Sequence, residues 1–346
     1  MLNTLKKPWV WLLIGLVLAY IGYTRIYQPI FSANTRTPDG KATEFFIHTG
    51  WDYRLVGQEL LKQKLITDVS AFHFVAEQMN YPRHVYPGRY LIEDGMSTRE
   101  LVTLLRSGKQ TPLDFTFVKF RTPDQLCEYV GEKLEMSALE LKQVLQNEEF
   151  LRKFNGLTPD IALTIFIPNT YELYWNIGPE EFVERMYREY NAFWNDRRND
   201  ARQKLNLSRL EVMTLASIVE EETNKSDERP RVAGVYLNRV RKNWPLEADP
   251  TVKFAVGDFT LRRILNKHLQ TDSPYNTYLY PGIPPGPICT PSITSIDAIL
   301  NAERHDYMFF CARADGSGYH HFSETLAQHN AYAREYHNML NQRGIR

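Results

Sequence analysis

Cysteine is scarce in this 346-residue chain, with only Cys127, Cys289 and Cys311, and no two of them form a Cys-x-x-Cys pair. An odd count excludes a complete disulfide framework, so the three read as small apolar side chains, with room for one bridge at most. Net charge is also missing. Forty-one basic residues face 41 acidic ones, which removes any electrostatic case for nucleic acid as a partner. The nine histidines form no His-Glu-x-x-His motif, and His320-His321 is a neighbouring pair rather than a helical one. No metal site and no cofactor are expected from that pattern. Internal repeats and low-complexity runs are absent as well. What is present is ordinary for a folded protein: 43% hydrophobic and 13% aromatic residues, on a chain long enough for an anchor and one large or two modest domains.

Near the start, Lys7 and Arg25 bracket an uncharged stretch from Pro8 to Thr24 whose core reads WVWLLIGLVLAYIGY. A spanning helix needs about 17 to 25 residues, so the stretch is short but adequate. Trp9 and Trp11 at one end, and Tyr20, Tyr23 and Tyr27 at the other, suit the two membrane interfaces. Lys6 and Lys7 precede it, which predicts an inside N-terminus, a single pass and an extracytoplasmic remainder. A cleaved signal peptide is the alternative, but the bulky YIGYTRIYQPIF that follows is a poor cleavage site.

Residues 29–42 are polar with prolines and a glycine, and read as a tether. A short strand is predicted over 43–47. A helix over 52–64 follows, with Thr49 and Asp52 as a capping-box-like start, and a second helix covers 68–79. Tyr90 to Ile92 returns as a strand, and Ser97 with Glu100 forms a capping box before a helix that Gly108 closes. Residues 43–111 thus make a small α+β module. A larger α+β domain is expected over 112–346, opened by a strand marked by Phe115, Phe117 and Phe120. Its first helices are predicted around 123–134, 137–154 and 179–197, followed by a polar stretch, WNDRRNDARQKLN.

Ser208 and Glu211 form another capping box, opening a helix that reads LEVMTLASIVEEET. Glu220 shares a helix face with Met213, Ala216, Ser217 and Thr223. Small and apolar neighbours would strip water from its carboxylate and raise its pKa, and mutual repulsion among Glu220, Glu221 and Glu222 works the same way. Ser217 would orient it by a hydrogen bond. A carboxyl group that holds a proton near neutral pH is what cleavage of a glycosidic bond needs. A solvated acidic helix end is the bland alternative.

The segment ASIVEEET resembles the ASI(I/V)E-x-E-T signature of the endolytic murein transglycosylases. The resemblance continues through VAGVYLNRV (232–240), LEADPTVKFA (246–255), SPYNTYLYPGIPPGPICTPS (273–292) and HHFSETLAQHN (320–330). Upstream, FIPNTYELYW (166–175) is similar to a family FPDTYEF block, and PGRYLIEDGMSTRELVTLLRSGK (87–109) to the close of a LysM-like module. The resemblance implies a membrane-anchored enzyme acting on peptidoglycan glycan strands. It would cleave between N-acetylmuramic acid and N-acetylglucosamine, leave 1,6-anhydro ends, and work beside peptidoglycan synthases. It places the catalytic glutamate at Glu220, with Glu222 as the alternative acid. Two positions depart from the family pattern: Asn169 where aspartate is frequent, and Glu247 where glutamine is familiar.

Lytic cleavage needs no water. One carboxyl group protonates the leaving oxygen and then takes the proton from the muramyl C6 hydroxyl as that oxygen attacks C1. Candidate sugar-binding groups are Tyr275, Asn276 and Tyr278, on a loop stiffened by Pro281, Pro284, Pro285 and Pro287, with Ser217, Glu222, Asp249 and His321 nearby. Asp249, which could equally cap a helix start, would be the second carboxylate of an ordinary muramidase, as would Glu172. Tyr171, Tyr174 and Trp175 could stack on sugars or fill the core. A non-enzymatic glycan-binding scaffold is the remaining reading.

Overall fold

The computed structural model describes residues 8–261 and 263–342; Lys6 and Lys7, on which the expected orientation rests, lie outside them. The first helix, α1 (Pro8–Gly22), carries on through a wider turn (Tyr23–Tyr27) into α2 (Gln28–Phe31). Together Trp9–Phe31 form one 23-residue helix with an 18-residue window of mean hydropathy 1.6 that nothing else in the chain buries, while Ile30 near its end packs against the core of the first unit. It is long and apolar enough to cross a membrane.

The chain divides into two compact units. The first comprises residues 1–114 with two short insertions, 133–135 and 172–177; the second comprises the remainder. In the first unit, β1 (Thr43–Ile47) and β2 (Gly88–Ile92) pair antiparallel. Between them run α3 (Tyr53–Lys62) and α4 (Val69–Gln78), and α5 (Thr98–Arg106) follows. The inward residues of both strands, Phe45, Ile47, Tyr90 and Ile92, are fully buried against Val56, Leu60, Phe72 and Leu101 from the helices. The Ser97–Glu100 capping box forms. The predicted start at Thr49 does not: Asp52 caps α3, and Thr49 binds Glu135 instead, through its backbone N–H at 2.6 Å and its hydroxyl at 2.8 Å.

The predicted tether is also corrected. Asn34 and Thr35 are buried. Asn34 donates to the Asp68 carbonyl at 2.9 Å and accepts from the Asp68 N–H at 2.8 Å, while the Thr35 hydroxyl donates to the Glu93 carbonyl. Short polar side chains that satisfy backbone groups of a folded neighbour look, in sequence, like the same residues in a solvated linker.

The second unit is mainly helical. Strands β3 (Leu113–Thr116) and β4 (Thr170–Leu173) pair with each other. Helices α6 (Pro123–Gly131), α7 (Ala138–Gln146), α8 (Glu148–Leu151) and α9 (Pro179–Phe193) follow the predicted order, with the long 137–154 helix broken at Asn147, which caps α8. The polar stretch after Trp194 is a helix, α10 (Asp196–Lys204), capped by Asn195. It has no apolar face, so periodicity gives no sign of it. At the centre lies α11 (Arg209–Glu222), opened by the Ser208–Glu211 capping box and buried along Val212–Val219. It packs against α12 (Arg229–Arg241), α13 (Asp249–Val256) and α14 (Ile293–Leu300). An antiparallel hairpin, β5 (Phe309–Ala312) and β6 (His320–Ser323), and α15 (Leu326–Gln342) complete the unit. All three cysteines are free; Cys127 and Cys289 are buried and Cys311 is half-buried.

Candidate active site

Three consecutive glutamates end α11, and the helical twist of 100° per residue sends each to a different neighbour. Glu220 and Glu221 find cationic partners that hold them low, while the charge of Glu221 adds a minor push to the rise at Glu222.

Glu220 points at the N-terminus of α14. Its carboxylate accepts from the Ser292 hydroxyl, from the Ser295 hydroxyl at 2.7 Å and from the Ser292 N–H at 3.2 Å. Arg229 donates to its other oxygen at 3.1 Å. Arg229 is itself fixed by Ser292 and Thr294, at 2.9 and 2.6 Å. Burial pushes the Glu220 carboxyl up, but the serine hydrogen bonds and the Arg229 charge more than offset this and hold it below the ordinary range. The rise expected from apolar neighbours is therefore not found: donors from α12 and α14 hold this carboxyl low. Ser217 does not orient it either. That hydroxyl donates to the Thr214 carbonyl at 2.7 Å and accepts the Ile288 N–H at 3.0 Å, pinning the proline-rich loop to the helix. Glu221 is paired with Lys119 at 2.6 Å and Arg121 at 2.8 Å, and is likewise held low against its burial.

Glu222 is different. Its neighbours include no guanidinium within hydrogen-bond reach. Tyr236 of α12, itself buried, donates its hydroxyl to Glu222 Oε1 at 2.6 Å. Burial, reinforced by the charge of Asp249, pushes the Glu222 carboxyl up to about 7 against the pull of Tyr236 and Arg239. Asp249, the first residue of α13, accepts the Tyr278 hydroxyl at 2.8 Å. Burial and then Asp249 drive the Tyr278 phenol upward, keeping it a hydrogen-bond donor. Arg239 stands behind the cluster and is spent on the carbonyls of Met308 and Leu246 and on Glu247, at 2.8, 2.7 and 3.1 Å. Glu247, the departure from the family pattern, is thus the partner of a buried arginine, and its φ of 48° marks the sharp turn that brings it there.

The structure brings Glu222, Asp249 and Tyr278 together and sends the other candidates elsewhere. Asn276 is fully buried, and its amide donates to the carbonyls of Leu269 and Thr271 at 2.9 and 2.8 Å. It shapes the loop and faces no ligand. Tyr275 lies tilted by 51° against Phe254 with ring centres 4.7 Å apart, and its hydroxyl would sit 3.1 Å from a Cβ at Gly286. His321 stacks on Tyr332 at 4.3 Å; its neighbour His320 is held by Glu228 at 2.9 Å. Tyr171 and Trp175 are buried, and Tyr174 is exposed. Glu172 belongs to the first unit. Sequence reasoning missed Tyr236 and Arg239, although both lie in VAGVYLNRV three residues apart, on one face of α12. It also missed Arg229, Ser292 and Ser295.

A carboxyl raised by burial beside a second carboxyl group and two tyrosines, on a mostly helical α+β framework, is the arrangement of an acid–base site. Residues 45–335 match the model of the YceG-like family, and the chain belongs to that family. Among its relatives, a Bacillus subtilis (strain 168) protein named endolytic murein transglycosylase is 26% identical over 321 residues, covering 88% of each chain. A Streptococcus pneumoniae (strain D39) protein of the same name is 25% identical over 85% of this chain and 58% of its own length. A Listeria monocytogenes crystal structure described as YceG-like superposes with a TM-score of 0.55 at 26% identity, over 85% of this chain and 99% of that one.

Proposed function

We propose that this chain is a membrane-anchored peptidoglycan lytic transglycosylase whose acid–base group is Glu222. The observation that carries the reading is the geometry at the C-terminal end of α11, where Glu222 accepts the Tyr236 hydroxyl at 2.6 Å beside Asp249, its carboxyl pushed up to about 7 by burial. The relatives' shared name supports the substrate and reaction class. The strand–helix–helix–strand order of the first unit supports a LysM-like module, and the apolar helix Trp9–Phe31 supports a single-pass anchor with the catalytic unit outside.

Protonated Glu222 donates to the glycosidic oxygen linking muramic acid to N-acetylglucosamine. The bond from C1 to that oxygen breaks, and positive charge builds on the muramyl ring. The Asp249 carboxylate, held by Tyr278, stabilises that charge. Glutamate 222, now ionised, takes the proton of the C6 hydroxyl as its oxygen bonds to C1, closing the 1,6-anhydro ring and restoring the acid. Tyr236 fixes the carboxyl in one orientation throughout. The same Asp249 favours a second reading, hydrolysis, in which it would serve as the second carboxylate. Digesting purified glycan strands and weighing the products separates the two. Anhydro ends support lytic cleavage, reducing ends support hydrolysis, and intact strands contradict both.

A further inference from the structure

The N-terminal end of α11 borders a cavity of about 660 Å³ on the second unit that the acid–base site does not use. Its wall is aromatic: Tyr187 lies 5.0 Å from Phe154 and 6.4 Å from Tyr190, ring centre to ring centre. It is also positive. Arg202 and Arg209 line it, and no aspartate or glutamate does. Neither arginine has a carboxylate partner. Both donate to the same amide oxygen, Asn199 Oδ1, at 3.1 and 3.2 Å; Arg202 also reaches the Leu207 carbonyl and Arg209 the Asn191 amide. Two guanidinium groups held side by side by one neutral oxygen repel each other, and an anion between or above them relieves that. A third polar group is unmet: Thr164 lines the same cavity, is 4% exposed, and its hydroxyl has no partner. Leaving a buried hydroxyl unpaired is costly unless a ligand or water completes it.

We propose that this cavity is a second glycan site, which takes an N-acetylated amino sugar bearing a carboxylate, that is, a muramyl unit whose lactyl carboxylate is free of stem peptide. The pyranose face lies on Tyr187, the carboxylate meets Arg209 and Arg202, and a sugar or acetamido oxygen accepts from Thr164. The identity of the ligand rests on the proposed function; the anion-and-ring chemistry rests on the cavity alone. Arg209 begins the 14-residue helix that Glu222 ends, so at 1.5 Å per residue the two sites lie roughly 20 Å apart along its axis. A strand gripped at one end of α11 and cut at the other is cut within the chain, at a set distance from the grip.

The test titrates full-length protein in detergent with N-acetylmuramic acid, and with N-acetylglucosamine as the neutral control. N-acetylmuramic acid is expected to bind at least about tenfold more tightly than N-acetylglucosamine, with R209Q weakening it about tenfold and T164V several-fold, since each removes a hydrogen bond to a ligand. Unchanged N-acetylmuramic acid affinity in a folded R209Q, or equal affinity for the neutral sugar, overturns the proposal; should R209Q fail to fold, unchanged affinity in T164V does so. Wild-type protein that binds through Arg209 yet leaves glycan uncut would sink the catalytic reading and leave this site standing. Cleavage with no dependence of binding on Arg209 would do the reverse.

Discussion

The hydroxyl of Tyr236 on α12 meets Glu222 Oε1 on α11 at 2.6 Å, so the raised carboxyl is also an oriented one. Two consequences follow from its position near 7. Proton donation requires the protonated form, so cleavage should decline as pH rises through about 7. For stability, the folded value stands above the ordinary 4.5. The protonated group therefore favours the fold fully below about 4.5, and that contribution is lost as pH climbs through 7. E222Q should melt higher than wild type at pH 8, by an amount on the order of 1–3 kcal/mol, with little difference at pH 4. Thermal melts at the two pH values check this.

Glu220 should behave in the opposite sense. Its carboxyl is held low, so the stability it lends is present above the unfolded value and is lost as pH falls through the folded one. E220Q removes the charge that balances Arg229, whose side chain is only 10% exposed. A loss of about 3 kcal/mol is expected at pH 7. Denaturant titration reads it directly, and a wild-type midpoint would contradict the structural role.

Asp249 sets the working range of the acid. Its charge helps raise the Glu222 carboxyl, so D249N should move the alkaline limb of the cleavage profile to lower pH and also lower the maximum rate. A limb that moves upward, or stays in place, would separate the two carboxyl groups functionally.

Ser217 acts on the loop. In S217A the buried Ile288 N–H loses its acceptor, at a cost of about 1–3 kcal/mol. The same fall in stability should accompany faster hydrogen exchange around residue 288. Unaltered exchange there would show that the loop is fixed by other contacts.

Much of this was legible in the sequence. The capping boxes at Ser97 and Ser208 announce helices that form with those caps, because the signal is local and the bonds it predicts span three residues. The motif also led to the end of α11 and to Asp249 and Tyr278, which the structure brings near Glu222. Which glutamate keeps a proton was not legible. That depends on Ser292, Ser295 and Arg229 arriving at Glu220 from two other helices, and on Tyr236 arriving at Glu222. Spacing along α11 shows which residues share a face, but not which donors the rest of the chain brings to it. For the same reason Asn276 resembled a ligand-binding amide until its carbonyl partners were seen.

We propose that Glu222 holds the catalytic proton and Glu220 holds the fold. The most direct measurement compares wild type, E222Q and E220Q by mass spectrometry of glycan strands digested below the melting point of each protein. The account predicts 1,6-anhydro ends from wild type, reduced but detectable anhydro ends from E220Q, and none from a well-folded E222Q. Undiminished anhydro products from E222Q, with none from a folded E220Q, would contradict it.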